Sequence, residues 1–324
     1  MNIEAISTIR SFHDTPSYQI LYELEDDLCK YLNIPLQHKK RWQNELYKLV
    51  YKLPIHHPIP FSIHKKMDWY VMMNPDFHRH CLHKSHTIPC IVDFWEKNNI
   101  DEFVKNFSDF PFVYFYSLEA INFLKNKGVT LDLRHFPMSI SDKWYDQYFE
   151  KEVSKDIDIL QIGRKNLLLE SFIQEYIKKY PETNYVQRKL IDGKNIYYST
   201  LHGEIGTLDT REDYFNILSR SKISIVSMPG LDGDQKTGSI HPLTPRSLES
   251  MVTKCHLIGR FVENEEYLKF GLKDAVYNIS TYSEFEKYAR LCIHEPFEKT
   301  EIYKNLLLKN LNSVRAEQIK RDFQ

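Results

Sequence analysis

The first 127 residues of this 324-residue chain contain no glycine, and all ten glycines lie at Gly128 or beyond. A strand-to-helix turn that brings backbone against phosphate needs glycine at the point of closest approach. The glycine-free half is therefore excluded as the seat of a ligand's phosphates, and any such site belongs to the second half. Net charge is almost absent, at -1 from 43 basic and 44 acidic side chains. That removes the electrostatic case for nucleic acid or an acidic polymer as partner. The five cysteines, Cys29, Cys81, Cys90, Cys255 and Cys292, are odd in number and widely spaced. They argue for reduced thiols and a cytoplasmic location rather than a disulfide framework. No apolar run approaches membrane-spanning length, and the opening MNIEAISTIRSFHD lacks a signal-peptide core. No G-x-G-x-x-G follows a strand, which disfavours a nicotinamide-dependent oxidoreductase.

The length suits two domains of ordinary size. In the first half, strands are expected at 3–9, 69–73, 88–95, 112–116 and 129–136. Helices are expected at 17–32, with Ile20, Leu21, Leu24 and Leu28 as the apolar face, and at 117–127, stopped by Gly128. Residues 38–52, HKKRWQNELYKLVYK, read as a basic, aromatic amphipathic helix. This is either a solvated surface or an attachment to an anionic membrane face. The run FHRHCLHKSH holds His78, His80, His83 and His86 beside Cys81. A zinc site needs four converging ligands, and no partner cluster stands at a suitable spacing, so a polar surface segment is expected and no metal site is assigned. Asp93, after the strand IPCIV, is a structural strand-end aspartate or an acceptor-side base.

The second half alternates more cleanly. DIDILQI (156–162) is a strand, followed by the turn Gly163-Arg164-Lys165-Asn166 and a helix at 167–180. Strands at 185–188 and 196–199, a helix at 211–219, a strand at 223–227, a helix from Pro245 and a strand at 256–259 follow. Such alternation predicts a parallel sheet covered on both faces, with ligands beyond the carboxyl ends of the strands. Gly163, Arg164 and Lys165, the loop at 227–242 and the helix start at Thr244 all fall on that edge, with Arg188 and Lys189 as further cations. Asp232-Gly233-Asp234 forms either a polar turn or a divalent-cation chelate.

The stretch SIHPLTPRSLESMVTKCHLIG (239–259) organises this half. Thr244 stands at the N-cap position and Pro245 at the first helical position, where a missing N–H costs nothing. Leu248, Met251, Val252 and Cys255 make one buried face, leaving Arg246, Glu249 and Ser250 off the core. An uncovered helix start favours anions. The plain alternative is a surface pair between Arg246 and Glu249.

The run TPRSLESMVTKCHLIGR, with REDYFNILSRSKISIVSMPGLDGDQKTGSIHP before it, resembles the donor-binding segment of bacterial glycosyltransferases of the group 1, family 4-like type. The resemblance covers about 156–290. It implies an α/β protein of GT-B architecture, two Rossmann-like domains facing across a cleft. These would be an acceptor-side domain at 1–138, a nucleotide-sugar-binding domain at 139–300, and a C-terminal segment at 301–324 crossing back to the first. The residues 141–156, SDKWYDQYFEKEVSKD, would be the connector. By the same resemblance, Arg164, and less directly Lys165, meet the leaving diphosphate, and Glu249 holds the nucleotide ribose. Thr244, Pro245, Arg246, Gly163 and Arg188 complete the nucleotide site. The family carries a second glutamate eight residues before Glu249, against the donor sugar; His241 stands there. The implied activity is retaining transfer from a nucleotide-diphosphate sugar, a co-substrate and not a cofactor, to a saccharide or lipid-linked saccharide, and the cation-rich turn with no convincing chelate predicts that it is metal-independent. It would serve bacterial surface polysaccharide or glycolipid synthesis in the cytoplasm, with peripheral contact at the inner membrane. His241 in place of an acid keeps a non-catalytic nucleotide-sugar-binding module as the alternative.

Overall fold

The computed structural model describes residues 3–8, 10, 18–38, 67–72, 87–95, 99–233 and 237–324. The histidine-rich run 78–86, nearly all of the basic stretch 38–52, and Asp234 lie outside them. The chain divides into two compact units, residues 1–141 with 310–324, and residues 142–309.

The first unit is built on β1 (Ile3–Thr8), β2 (Leu36–His38), β3 (Met67–Met72), β4 (Thr87–Ile91), β5 (Val113–Phe115) and β6 (Leu133–His135), all parallel in the order β2-β1-β3-β4-β5-β6. Parallel neighbours need crossovers. Helices α1 (Gln19–Leu32), α2 (Ile100–Phe107) and α3 (Leu118–Asn126) supply three. Asn99 and Ser117 start α2 and α3 by accepting the N–H of Glu102 and Ala120. Where glycine is missing, aromatics fill space: Phe94 packs edge-on against Phe103 and Phe115, with ring centroids 5.5 and 5.9 Å away.

The second unit opens with α4 (Asp142–Trp144), which runs into a π-helical turn at Tyr145–Phe149. The sequence suggested a mere connector here. Instead Trp144 is buried and stacks on Phe215 at 4.3 Å, because four large aromatics in the eight residues 142–149 carry more apolar area than a solvated linker leaves exposed.

Seven strands follow: β7 (Ile157–Gln161), β8 (Tyr185–Ile191), β9 (Lys194–Ser199), β10 (Gly203–Gly206), β11 (Ser221–Ser227), β12 (His256–Arg260) and β13 (Val276–Asn278). Their order is β10-β9-β8-β7-β11-β12-β13, parallel from β8 to β13. The expected wholly parallel sheet is corrected at one edge, where β8, β9 and β10 form an antiparallel meander. Asp192 and Gly193 both take left-handed backbone, at φ 49° and 76°, which makes the tight hairpin turn that joins β8 to β9.

Helices α5 (Leu167–Lys179) and α6 (Arg211–Ser219), the short α7 (Arg246–Val252), α8 (Glu265–Phe270), α9 (Leu272–Ala275), α10 (Tyr282–His294) and α11 (Thr300–Lys309) complete the unit. One core cluster joins Ile159, Ile173, Ile223, Ile258 and Phe285. Helix α12 (Asn312–Asp322) belongs to the first unit, with Ala316 and Ile319 in its core and Asn312 donating to Asp27 at 2.9 Å. The return therefore begins at Asn310 and not at 301, since α11 is tied into the second unit by the Tyr303 hydroxyl donating to the Cys255 carbonyl at 2.9 Å. Among the described residues, no helix is long and apolar enough to cross a membrane.

Candidate functional site

The carboxyl edge of the second sheet collects most of the residues that the sequence singles out. β7 ends into Gly163, whose φ of +82° suits a residue without a side chain. A Cβ built there would lie 2.1 Å from Nη2 of Arg246 and 2.9 Å from its Cζ. The Arg246 guanidinium thus rests on the bare face of Gly163, bridging the β7 turn and the start of α7.

Arg164 is exposed just beyond. Lys165 turns to the other face of the sheet, where Nζ donates to Glu170 at 3.0 Å and to Gln187 at 2.5 Å. Its ammonium is engaged by these two acceptors. Arg188 stands opposite Tyr197 in the β8–β9 hairpin. Burial raises the Tyr197 phenol, and the charges of Arg188 and Arg246 oppose that rise.

Two expectations about α7 are also corrected. The helix begins at Arg246, with Pro245 as its cap residue and no side-chain cap bond, so Thr244 lies one residue outside. Nor does Glu249 lie off the core: Ser247 to Val252 are all buried. The helix is short and enclosed by β11, β12, α11 and the π-helical turn, so every face is covered.

The Glu249 carboxylate, 6% exposed as a residue, accepts from Arg211 Nη1 and from the Tyr214 hydroxyl, each at 2.6 Å. The surface pair with Arg246 is replaced by this buried pair with Arg211. Arg211 lies over the Tyr214 and Phe215 rings, 5.2 and 5.0 Å from their centroids. Burial, and then the Glu249 charge, push the Tyr214 phenol well above its ordinary value, so it remains a donor. Sequence reasoning missed Arg211 and Tyr214. The available signal was T-R-E-D at 210–213, a capping box that starts α6 and sets residues 211 and 214 on one face.

His241 is half-buried in the loop after β11. Its Nδ1 lies 3.0 Å from the Pro229 carbonyl, which only accepts, so Nδ1 carries the proton. The loop closes tightly at Gly230, φ +81°, where a Cβ would meet Thr237 Oγ1 at 2.2 Å and His241 Nδ1 at 2.9 Å.

Asp232 does not stand ready as a chelate. Arg260 donates to both its oxygens at 3.0 Å, and Asn166, which caps α5, donates at 2.7 Å. Burial alone would raise its pKa; these bonds more than offset that and hold it below the ordinary carboxylate value. Among the described residues, no group of three or more His, Cys, Asp or Glu is placed to hold a metal ion. Asp93 follows β4 in the first unit, half-buried.

The edge therefore brings together Gly163, Arg246, Arg188, Arg211, Tyr214 and Glu249. Arg211 is paired with Glu249, while Arg246 on the Gly163 turn and Arg188 on β8 add two further guanidiniums to this edge, planar donors of the kind that recognises phosphate.

No family model matches the chain, and no curated protein matches it. Solved structures do. Anabaena HepE in complex with UDP and glucose superposes over 99% of this chain and 99% of its own, with 8% identity and a TM-score of 0.59. A Listeria monocytogenes protein provisionally named UDP-N-acetylglucosamine 2-epimerase matches over 98% and 95%, with 11% identity and a TM-score of 0.50. The chain spans 56% of the length of the pneumococcal O-GlcNAc transferase GtfA, at 12% identity and a TM-score of 0.47. Two parallel-sheet units, the return of α12 to the first and an end-to-end superposition on solved structures of that architecture give this chain the GT-B fold.

Proposed function

We propose that the protein moves a sugar from a nucleotide-diphosphate sugar to a hydroxyl of a saccharide or lipid-linked saccharide. The observation that carries this reading is the Arg246 guanidinium seated on Gly163 at the carboxyl end of β7. A diphosphate brought to that turn meets Arg246, with Arg188 beside it and Arg164 at the rim. As the bond from the anomeric carbon to the diphosphate oxygen breaks, negative charge grows on the leaving group. Fixed guanidiniums stabilise that charge without a metal ion. The acceptor hydroxyl forms the new bond to the anomeric carbon on the face the diphosphate leaves, and passes its proton to the departing diphosphate oxygen, as a retaining course requires.

Glu249 retains acceptor capacity after serving Arg211 and Tyr214, since a carboxylate offers about four lone-pair sites. The remaining two suit vicinal ribose hydroxyls, with Arg211 and Tyr214 fixing the carboxylate's direction. His241 takes the place of the acid that contacts the donor sugar in the resembling family, and it sets the sugar preference. The retaining course, a role in bacterial surface polysaccharide or glycolipid synthesis, and cytoplasmic placement with inner-membrane contact through the basic stretch at 38–52 belong to the same proposal. That HepE was crystallised with UDP makes UDP the first nucleotide to try.

Calorimetric titration of UDP, followed by assay of UDP release from a panel of UDP-sugars, tests the reading. Binding that Arg246→Ala abolishes, with slow donor hydrolysis by the wild type, supports transfer. Tight binding without turnover of any donor, with or without acceptor, favours the non-catalytic module that His241 keeps open. No binding of any nucleoside diphosphate removes both.

A further inference from the structure

The opposite edge of the same sheet, where β11 and β12 begin, holds a separate cavity of about 180 Å³. Its lining includes Lys155, Lys222, Lys254, His256, Glu295 and Phe297. One ordered water needs roughly 10–15 Å³ of such space, so this volume admits a small molecule. Three lysines face one carboxylate there, but they are not equivalent. Lys155 spends its three protons on the carbonyls of Ser219, Ser221 and Thr253, at 3.2, 2.7 and 2.9 Å. Lys222 is held by Asp158 at 2.7 Å.

Lys254 has no carboxylate within ion-pair distance among the described residues; it lies 5.6 Å from the Phe149 ring centroid. It also occupies left-handed backbone, φ +52°, immediately after α7, where glycine would be the easier residue. His256 is more telling. The residue is 6% exposed, Nδ1 is sealed from solvent without a partner, and among the described residues the ring makes no hydrogen bond. Phe297 packs edge-on against it at 4.9 Å. Burial, with the charges of Lys299 and Lys155, pushes His256 down to about 4, so the ring is neutral near pH 7.

Nδ1, being sealed, does not reach the cavity; Nε2 is not sealed and also makes no hydrogen bond among the described residues, so it is the ring atom open to a ligand there. The surrounding ammonium groups decide the charge of that ligand. We propose that this cavity binds a small oxyanion of the phosphate class, held by the Lys254 ammonium against the His256 ring, with Lys222 at its side. Neither the fold nor the donor reading calls for this site, and the proposal stands apart from both.

The test is two-dimensional NMR of the histidine rings of the full chain, titrated with inorganic phosphate against chloride at constant ionic strength. The expected result is a saturable shift of the His256 signals. Lys254→Gly should weaken it by roughly ten- to hundredfold, the loss of one charge-assisted bond. That variant also relieves the left-handed backbone, so it is expected to fold. Arg246→Ala, at the other edge, should leave the shift unchanged. Glucose 1-phosphate distinguishes the sources: tighter binding than phosphate marks a phosphomonoester site, and weaker binding marks a site for the free anion. The proposal is overturned if His256 does not respond, if Lys254→Gly binds as well as wild type, or if Arg246→Ala removes the response.

Discussion

Glu249 carries more structural weight than its place in the sequence suggests, and two substitutions separate its roles. Its side chain is 8% exposed and that of Arg211 16%, with 2.6 Å between the bonded atoms. Glu249→Ala leaves the guanidinium and the Tyr214 hydroxyl without their acceptor. Removing one partner of a buried pair costs about 3–5 kcal/mol. Arg211 keeps the Tyr214 and Phe215 ring faces and some solvent, so the lower end applies, about 3 kcal/mol. For a unit of this size that lowers the melting temperature by roughly 6–12 °C. Glu249→Gln keeps one acceptor oxygen and the shape, and should cost about half as much. Both variants should lose UDP affinity roughly ten- to hundredfold if the carboxylate holds the ribose.

Urea denaturation followed by circular dichroism gives the stability change, and calorimetric titration of UDP gives the affinity. Glutamine is the decisive variant because it stays folded. An alanine variant that loses less than about 0.5 kcal/mol would mean the Arg211 pair does not form in solution, since that is the range of an ordinary surface change. Unchanged UDP affinity in folded Glu249→Gln would take the residue off the nucleotide while leaving its structural role intact.

Gly163→Ala should cost about 1–3 kcal/mol through left-handed strain and drive Arg246 off the turn; a variant that melts and binds UDP like wild type would refute the seating of Arg246. Donor turnover should survive excess EDTA, and Asp232→Ala should lower stability through the lost Arg260 and Asn166 bonds rather than abolish turnover. Loss under EDTA restored by manganese would refute metal independence. The two units should respond oppositely to acid. Burial raises Glu25, in the first unit, from 4.5 to about 7 despite the bonds from Thr8 and Arg10, so its contribution is fully present below 4.5 and lost as pH rises through 7. His256, in the second, is lowered from 6.5 to about 4, so its contribution is fully present above 6.5 and lost as pH falls through 4. Each is worth about 3 kcal/mol. Acidification from above pH 7 should stabilise the first unit and weaken the second in calorimetric scans, and Glu25→Gln should flatten only the first trend; equal slopes in wild type would refute the assignment.

The GT-B fold was legible because strands and helices alternate cleanly after residue 156 and because T-P-R-S-L-E stands where the resembling family carries its donor helix. The side chains were less legible. Helical periodicity identified Leu248, Met251, Val252 and Cys255 as one buried face, and all four are buried, although α7 ends at Val252 and Cys255 lies beyond it. It carries no information about a second covering from α11 and the π-helical turn, both distant in sequence, so Glu249 read as exposed. Lys165 read as a phosphate cation from residue type and turn position, which carry no information about the Glu170 and Gln187 acceptors that engage it. The edge hairpin was within reach: Asp192-Gly193 between β-rich runs is a strong two-residue turn signal. Short strands interleaved with helices outweighed it.

The glycine distribution said more than it was first asked. Its absence from the first 127 residues moved the expected phosphate site into the second half, yet four of the glycines there do not mark a close approach. A Cβ at Gly193, Gly203, Gly206 or Gly233 would meet nothing within 4 Å; these serve turn chirality alone. At the carboxyl ends of β7 and β11, Gly163 and Gly230 differ. Each lacks a side chain where another must pass, Arg246 at the first and Thr237 with His241 at the second. All three intruding residues come from the single stretch 237–246, which leads into α7. Two bare backbone positions on neighbouring strands thus fix the path of one segment across the sheet's carboxyl edge. An extra methyl at either one would displace the cation or the histidine on which the proposed donor site depends.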